Sequence, residues 1–286
     1  MPANALPAVL ALHVAVALFG FAGLFGKWLT LPPYAIVLGR TAIAAATLGL
    51  VVMIQRGRFR PEPALAYNGV MLAVHWVTFF EAIRVSNVAI GLLGYATFPL
   101  FVLGLERLLL GRRWNREQMF VALLVVAGLA VLVPSFRLQD EMLQGLAWGL
   151  VSGFMFALLT VRSRRLASTH TPTTIAFWQN LFAAIVLLPF AWAGREALPA
   201  LSARDVLMLV ALGVFCTALA HTLFIASLQR VSSHAASVVA SLEPVYGIAL
   251  AAWLLHEIPT LRTLVGATMI VGAAVLASRR IGDAPP

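Results

Sequence analysis

Residues 75–89 read His-Trp-Val-Thr-Phe-Phe-Glu-Ala-Ile-Arg-Val-Ser-Asn-Val-Ala, and residues 221–235 read His-Thr-Leu-Phe-Ile-Ala-Ser-Leu-Gln-Arg-Val-Ser-Ser-His-Ala. At an offset of 146, His75 meets His221, Arg84-Val85-Ser86 meets Arg230-Val231-Ser232, and Ala89 meets Ala235. Downstream, Pro99 meets Pro244 at an offset of 145, and Gly128-x-Ala130-Val131-Leu132 meets Gly272-x-Ala274-Val275-Leu276 at 144. Three blocks in the same order, drifting by one residue at a time, mark an internal repeat, and a repeat constrains the whole architecture.

The sequence between the blocks is hydrocarbon-like. Of 286 residues, 61% are hydrophobic and only 11% charged, with a mean hydropathy of +0.93. A soluble domain carries about 25% charged residues, so the polar side chains here cannot cover a water-facing surface. Stretches 85–105, 118–136, 142–161 and 206–229 contain no Asp, Glu, Lys or Arg. Crossing a bilayer takes about 20 such residues. Allowing for turns at Pro32-Pro33, Arg56 to Pro61, Arg112-Arg113 and Arg162 to Arg165, the pattern predicts ten helices. They fall near 8–27, 33–55, 65–82, 87–109, 118–135, 143–162, 172–193, 205–227, 234–255 and 261–279. The fold class expected is an all-α integral membrane protein, with repeats at 1–137 and 138–286. Five helices per repeat is an odd number, so consecutive copies run in opposite senses through the membrane. Inverted repeats place a binding site near mid-bilayer between the halves.

A formal net charge of +9 and a pI near 11.1 suggest nucleic acid in a soluble protein. Here the basic residues cluster between apolar runs, where they act as topology signals. Thirteen fall on the side of both termini: Arg56, Arg58, Arg60, Arg107, Arg112, Arg113, Arg116, Arg162, Arg164, Arg165, Arg230, Arg279 and Arg280. Six fall opposite (Lys27, Arg84, Arg137, Arg195, Arg204 and Arg262), and Arg40 stands alone inside the second helix. Both termini are therefore expected in the cytoplasm, with the first helix an uncleaved span. Cys216 has no second thiol and no His or Cys cluster around it, and reads as packing.

Polar groups in hydrocarbon are costly and turn toward protein or a wet cavity. His75 and His221 head the candidates because the repeat puts them at corresponding depths; Trp76, Thr78 and Phe79 follow within a turn of His75. Helix packing against a backbone carbonyl is the competing role for each histidine. Ser233, Ser237 and Ser241 share a face by their four-residue spacing, which suits a close helix contact as well as a ligand. Glu243 precedes Pro244, whose missing N–H opens the helix there; the carboxyl is a candidate for proton coupling or for an ion pair with Arg40. Gly91, Gly94 and Pro99 form the equivalent bendable segment beside Tyr95. Trp148, Trp178, Gln179 and Tyr246 complete the substrate-binding candidates with Ser237 and Ser241. Trp28, Trp114 and Trp192 suit interfacial anchors, and Gly145, Gly149 and Gly153 suit tight helix packing.

No metallohydrolase, phosphate-loop or nucleophile-elbow motif occurs, so the chain reads as neither an enzyme nor an ATP-driven pump, and no cofactor or metal is expected. A lipid-acting membrane enzyme is the alternative from another class. The repeat, the Arg-Val-Ser ends at Arg84 and Arg230, and the Glu243-Pro244 step followed by Glu257 resemble the drug/metabolite transporter superfamily, in particular its ten-helix EamA-type members. The first copy departs from the pattern, with Phe98-Pro99 and Arg112 where the second has Glu243-Pro244 and Glu257. Within the superfamily the likeness is greatest to the bacterial aromatic amino-acid exporters of the YddG group. That resemblance implies export of Phe, Tyr and Trp and other amino acids across the inner membrane; alternating access by a single chain is the working mode expected here. Export of another metabolite or a drug is the neighbouring alternative.

Overall fold

The computed structural model describes every residue except 1–5, 57–60, 111–115, 133–139, 232–235, 237–238, 241 and 279–286. The described residues form helices and connecting turns, with no strand among them. The helices are α1 (Leu6–Trp28), α2 (Pro33–Ile54), α3 (Pro63–Val85), α4 (Val88–Tyr95), α5 (Phe98–Leu110) and α6 (Arg116–Leu132). The second half holds α7 (Glu141–Leu166), α8 (Pro172–Ala193), α9 (Ala203–Gly213), a π-helical turn (Val214–Leu219), α10 (Ala220–Ser227), α11 (Glu243–Leu254) and α12 (Leu261–Ser278).

Local chemistry sets the ends. Proline opens α2, α3 and α8, where its missing N–H costs no helical hydrogen bond. Asp140 accepts from the N–H groups of Met142 and Leu143 to cap α7, and Ser202 with Asp205 makes a reciprocal capping box on α9. At the start of α4, Asn87 Oδ1 accepts from Ile90 N at 2.9 Å and Glu257 Oε2 accepts from Val88 N at 3.1 Å.

Among the described residues, six helical segments are long and apolar enough to cross a bilayer: Pro7–Trp28, Pro33–Ile54, Val88–Leu105, Glu141–Leu166, Pro172–Ala193 and Ala203–Ser227. Large apolar side chains on them stay exposed, Leu50, Met53, Ile54, Leu188, Phe190 and Phe215 among them. Such a surface suits lipid and not water. Among the described residues, the helices expected at 87–109 and 234–255 are broken, the second at Leu242, and the one expected at 205–227 is locally widened. The segment expected at 87–109 turns at Ala96 and Thr97, because Pro99 cannot donate back into α4 and the Thr97 hydroxyl instead donates to Gly94 O at 2.8 Å. The segment expected at 205–227 contains the π turn.

α2 packs along α8, and α6 along α12. The remaining main contacts include pairs: α3 on α7 beside α1 on α10, α5 on α7 beside α1 on α11, and α3 on α8 beside α2 on α9, with α4 also packed on α7. Close approaches occur where glycines face each other. A Cβ on Gly149 would meet Gly94 Cα at 2.9 Å, and one on Gly20 would meet Gly247 N at 3.0 Å. The tandem glycines of α7 thus bring α4 against it at backbone distance, the packing role their spacing suggests. Gly91 and Gly94, expected as hinge residues, lie inside α4 and serve such contacts; Gly91 faces Ile83. Pro99 and Pro244 each stand second in the helix that follows a break.

Candidate functional site

α1, α2, α3, α4, α7, α10 and α11 enclose a central cavity of about 20 Å³, which is room for about one water. Its polar wall is Arg40, His75, Tyr95, His221 and Glu243, and its apolar wall is Phe19, Ala22, Trp76, Phe79 and Phe156. The rings interlock: His75 lies 4.8 Å from Phe156 and 5.4 Å from Tyr95 by centroids, Tyr95 stacks on Phe98 at 5.2 Å, and Trp76 meets His221 edge-on at 5.7 Å.

Arg40 is the buried cation of the site, 1% exposed. Its Nε donates to Thr217 Oγ1 at 2.8 Å, its Nη2 donates to the Cys216 carbonyl at 3.1 Å, and its guanidinium lies 3.9 Å over the Trp76 ring. The π turn makes this possible. Thr217 donates to Leu212 O, five residues back, and the widened turn offers the Cys216 carbonyl sideways to α2. Arg40 therefore rests on a built platform. Replacing Thr217 by valine keeps the shape and removes the acceptor; substrate affinity should fall about tenfold, in line with a hydrogen bond to a charged group. Serine at 217 should restore it, as read by competition binding on the purified protein.

Glu243, 3% exposed, opens α11 at the break before Pro244. Tyr95 lines the same cavity beside its carboxyl. Its Oε2 has no hydrogen-bond partner among the described residues, and neither has His221 Nδ1. The ion pair expected between Arg40 and Glu243 does not form: none lies within 4.0 Å, because the π turn and Trp76 hold the guanidinium on the α2–α10 side. His75 lines the cavity while its Nδ1 sits 3.1 Å from Ser152 O and 2.8 Å from Ser152 Oγ.

Of the twelve expected substrate-binding residues, the structure brings together His75, Trp76, Phe79, Tyr95 and His221. Thr78 is buried beside them, but its hydroxyl turns back to Val74 O and His75 O of its own helix. Trp148 is 42% exposed and Tyr246 36%, both outside the cavity wall. Trp178 packs between Phe177 and Phe182 on α8. Gln179 belongs to a separate buried polar cluster: its Nε2 donates to Ser163 Oγ at 2.9 Å, and Arg162 Nε donates to Asn68 Oδ1 at 3.0 Å. Ser237 and Ser241 lie outside the described residues. Sequence reasoning missed Phe19, Phe156 and the Cys216–Thr217 platform. A signal for the first two existed in the repeat, discussed below.

The model of the EamA-like transporter family matches residues 6–133 and 143–279. The chain is 30% identical over 257 residues to the pseudopaline exporter CntI of Pseudomonas aeruginosa, spanning 87% of each chain. It is 27% identical over 293 residues to the uncharacterized transporter YxxF of Bacillus subtilis, spanning 97% of this chain and 91% of that one. A solved crystal structure shares the fold, with a TM-score of 0.73 at 21% identity, covering 96% of this chain and 98% of that one. Polar groups gathered in the core of an apolar, multi-pass helix bundle are what a solute pathway requires, and the family match spans nearly the whole chain: this protein is a membrane transporter and belongs to the EamA-like transporter family.

Proposed function

We propose that the protein is a secondary transporter that exports amino acids, aromatic ones foremost, across the bacterial inner membrane by alternating access. The observation that carries this reading is the buried central cavity, with one guanidinium and one carboxyl set among stacked rings. Aromatic walls favour a solute with a ring of its own, and the polar groups fix its orientation. Ten spans in two inverted five-helix repeats, residues 1–137 and 138–286, with both termini cytoplasmic, suit the mechanism. Exchanging the two halves carries main helix contacts onto one another: α3 on α7 becomes α10 on α1, and α5 on α7 becomes α11 on α1. The closed cavity is far smaller than any amino acid, so transport requires the halves to part on one side at a time. His75, Trp76, Phe79, Tyr95 and His221 line the route, and one chain forms the complete site.

Proteoliposomes loaded with labelled tryptophan, phenylalanine or tyrosine should exchange label with external amino acid of the same kind. Uptake should respond to an imposed pH gradient if Glu243 couples protons. A panel that moves other metabolites and no aromatic amino acid overturns the substrate assignment. That outcome is the second reading, favoured by the pseudopaline exporter among the relatives.

A further inference from the structure

Arg40 and Glu243 line one cavity, both nearly fully buried, yet do not pair with each other. Each is held in place by its own scaffold. Arg40 spends one N–H on Thr217, one on the Cys216 carbonyl, and its π face on Trp76; of its five N–H donors, three have no acceptor among the described residues. Glu243 is fixed at the first position of α11, beside Tyr95, with Oε2 unpartnered. The two groups come from opposite halves of the chain, α2 and α11. An isolated buried charge is strongly unfavourable, and breaking a pair by removing one partner leaves the other uncompensated. A solute carrying a single charge would satisfy one of these groups and leave the other stranded.

We propose that the transported solute is a zwitterion clamped between them, its carboxylate on Arg40 and its ammonium on Glu243, with its apolar side chain among Trp76, Phe79, Phe19 and Phe156. The inference rests on the transport reading above and sharpens it by assigning which protein group takes which substrate group. The guanidinium fork matches a carboxylate with two parallel hydrogen bonds. Because the clamp joins residues of both halves, a bound zwitterion ties the halves together as the cavity closes.

Purified protein in detergent is titrated with L-tryptophan, tryptamine (amine only) and indole-3-propionate (carboxylate only), and binding is read by ligand-induced thermal shift and calorimetry. The same series is run with leucine, isoamylamine and 4-methylpentanoate. In the wild type, each amino acid should bind at least about tenfold tighter than either one-charge analogue, the loss expected for a stranded charged hydrogen-bonding group. In Arg40→Gln, tryptophan should lose its advantage over tryptamine; in Glu243→Gln, it should lose its advantage over indole-3-propionate. The wild-type comparison stands without the variants, whose folding is checked by size-exclusion profile. A one-charge analogue binding as tightly as its amino acid overturns the clamp, as does a variant that penalises all three ligands equally or a failure of every zwitterion to bind. If leucine shows the pattern and tryptophan does not bind, the clamp holds and the aromatic preference falls. If tryptophan is transported but the charge-matched pattern is absent, the clamp falls and the transport reading stands.

Discussion

Gly149→Leu is expected to leave little folded protein in the membrane. A Cβ at this position already meets Gly94 Cα at 2.9 Å and Tyr95 N at 3.2 Å, all of it backbone that cannot swing aside. The remaining leucine atoms have to force α7 and α4 apart, and α4 carries Tyr95 into the cavity. Overpacking of this kind costs about 3 kcal/mol, a large part of a domain's net stability. The check is a melting curve in detergent together with the yield of monodisperse protein. Gly272→Ala in α12 is the matched control: nothing lies within 4 Å of the added methyl, so the gain in helix propensity, up to about 1 kcal/mol, should leave the midpoint unchanged or raised. Equal loss from both substitutions would show that the helix contact is not what matters.

Trp76→Leu should reduce transport by roughly thirtyfold, while Trp76→Phe should retain most of it. The indole serves two purposes. It is an electron-rich plate 3.9 Å beneath the Arg40 guanidinium, and it is an edge-on neighbour of His221 across the contact between α3 and α10. A desolvated cation–π contact is worth about 2 kcal/mol, and 1.4 kcal/mol is a factor of ten. Leucine fills much of the space without offering a π face, so the comparison with phenylalanine separates electrostatics from packing. Exchange rates in proteoliposomes, normalised to reconstituted protein, give the readout. Identical activity for the two variants would remove the plate from the mechanism.

The helical plan was open to sequence reasoning because hydrocarbon imposes one simple demand, a run of apolar residues as long as the bilayer is thick. The site was legible only where something broke that monotony. His75 and His221 stood out because a histidine in an apolar run is conspicuous and the repeat supplied it twice; Arg40 and Glu243 stood out for the same reason. Phe19 and Phe156 did not, since a phenylalanine facing the cavity and one facing lipid look the same in a helix that is apolar all round. Yet the two stand equally far into the family-matched stretches that begin at 6 and 143, and that correspondence was available to find them. Trp148, Trp178, Gln179 and Tyr246 mislead for the converse reason: polarity or aromaticity marks a residue as notable without saying which way its helix face turns. The partner of Arg40 was illegible on other grounds. Its acceptors are the Thr217 hydroxyl and a backbone carbonyl released by a π turn, and no side-chain pattern in Val214–Leu219 announces that turn.

That π turn also acts as a phase shifter. One residue advances an α-helix by about 100°, and a π turn accommodates one residue more than the α-helical ladder would. Everything after it is turned by that angle from where an unbroken α-helix of the same residues would place it. Leu207 and Val210 look outward from the bundle, whereas His221 and Phe224, a few turns on, look inward. Regular α-helical winding of the same residues through Val214–Leu219 would swing His221 by about 100° away from Trp76, whereas losing one residue there would straighten the turn, keep His221 in place and remove the carbonyl that Arg40 uses. Winding at this point is thus as consequential as composition: the azimuth of one whole wall of the cavity is set by a single widened turn.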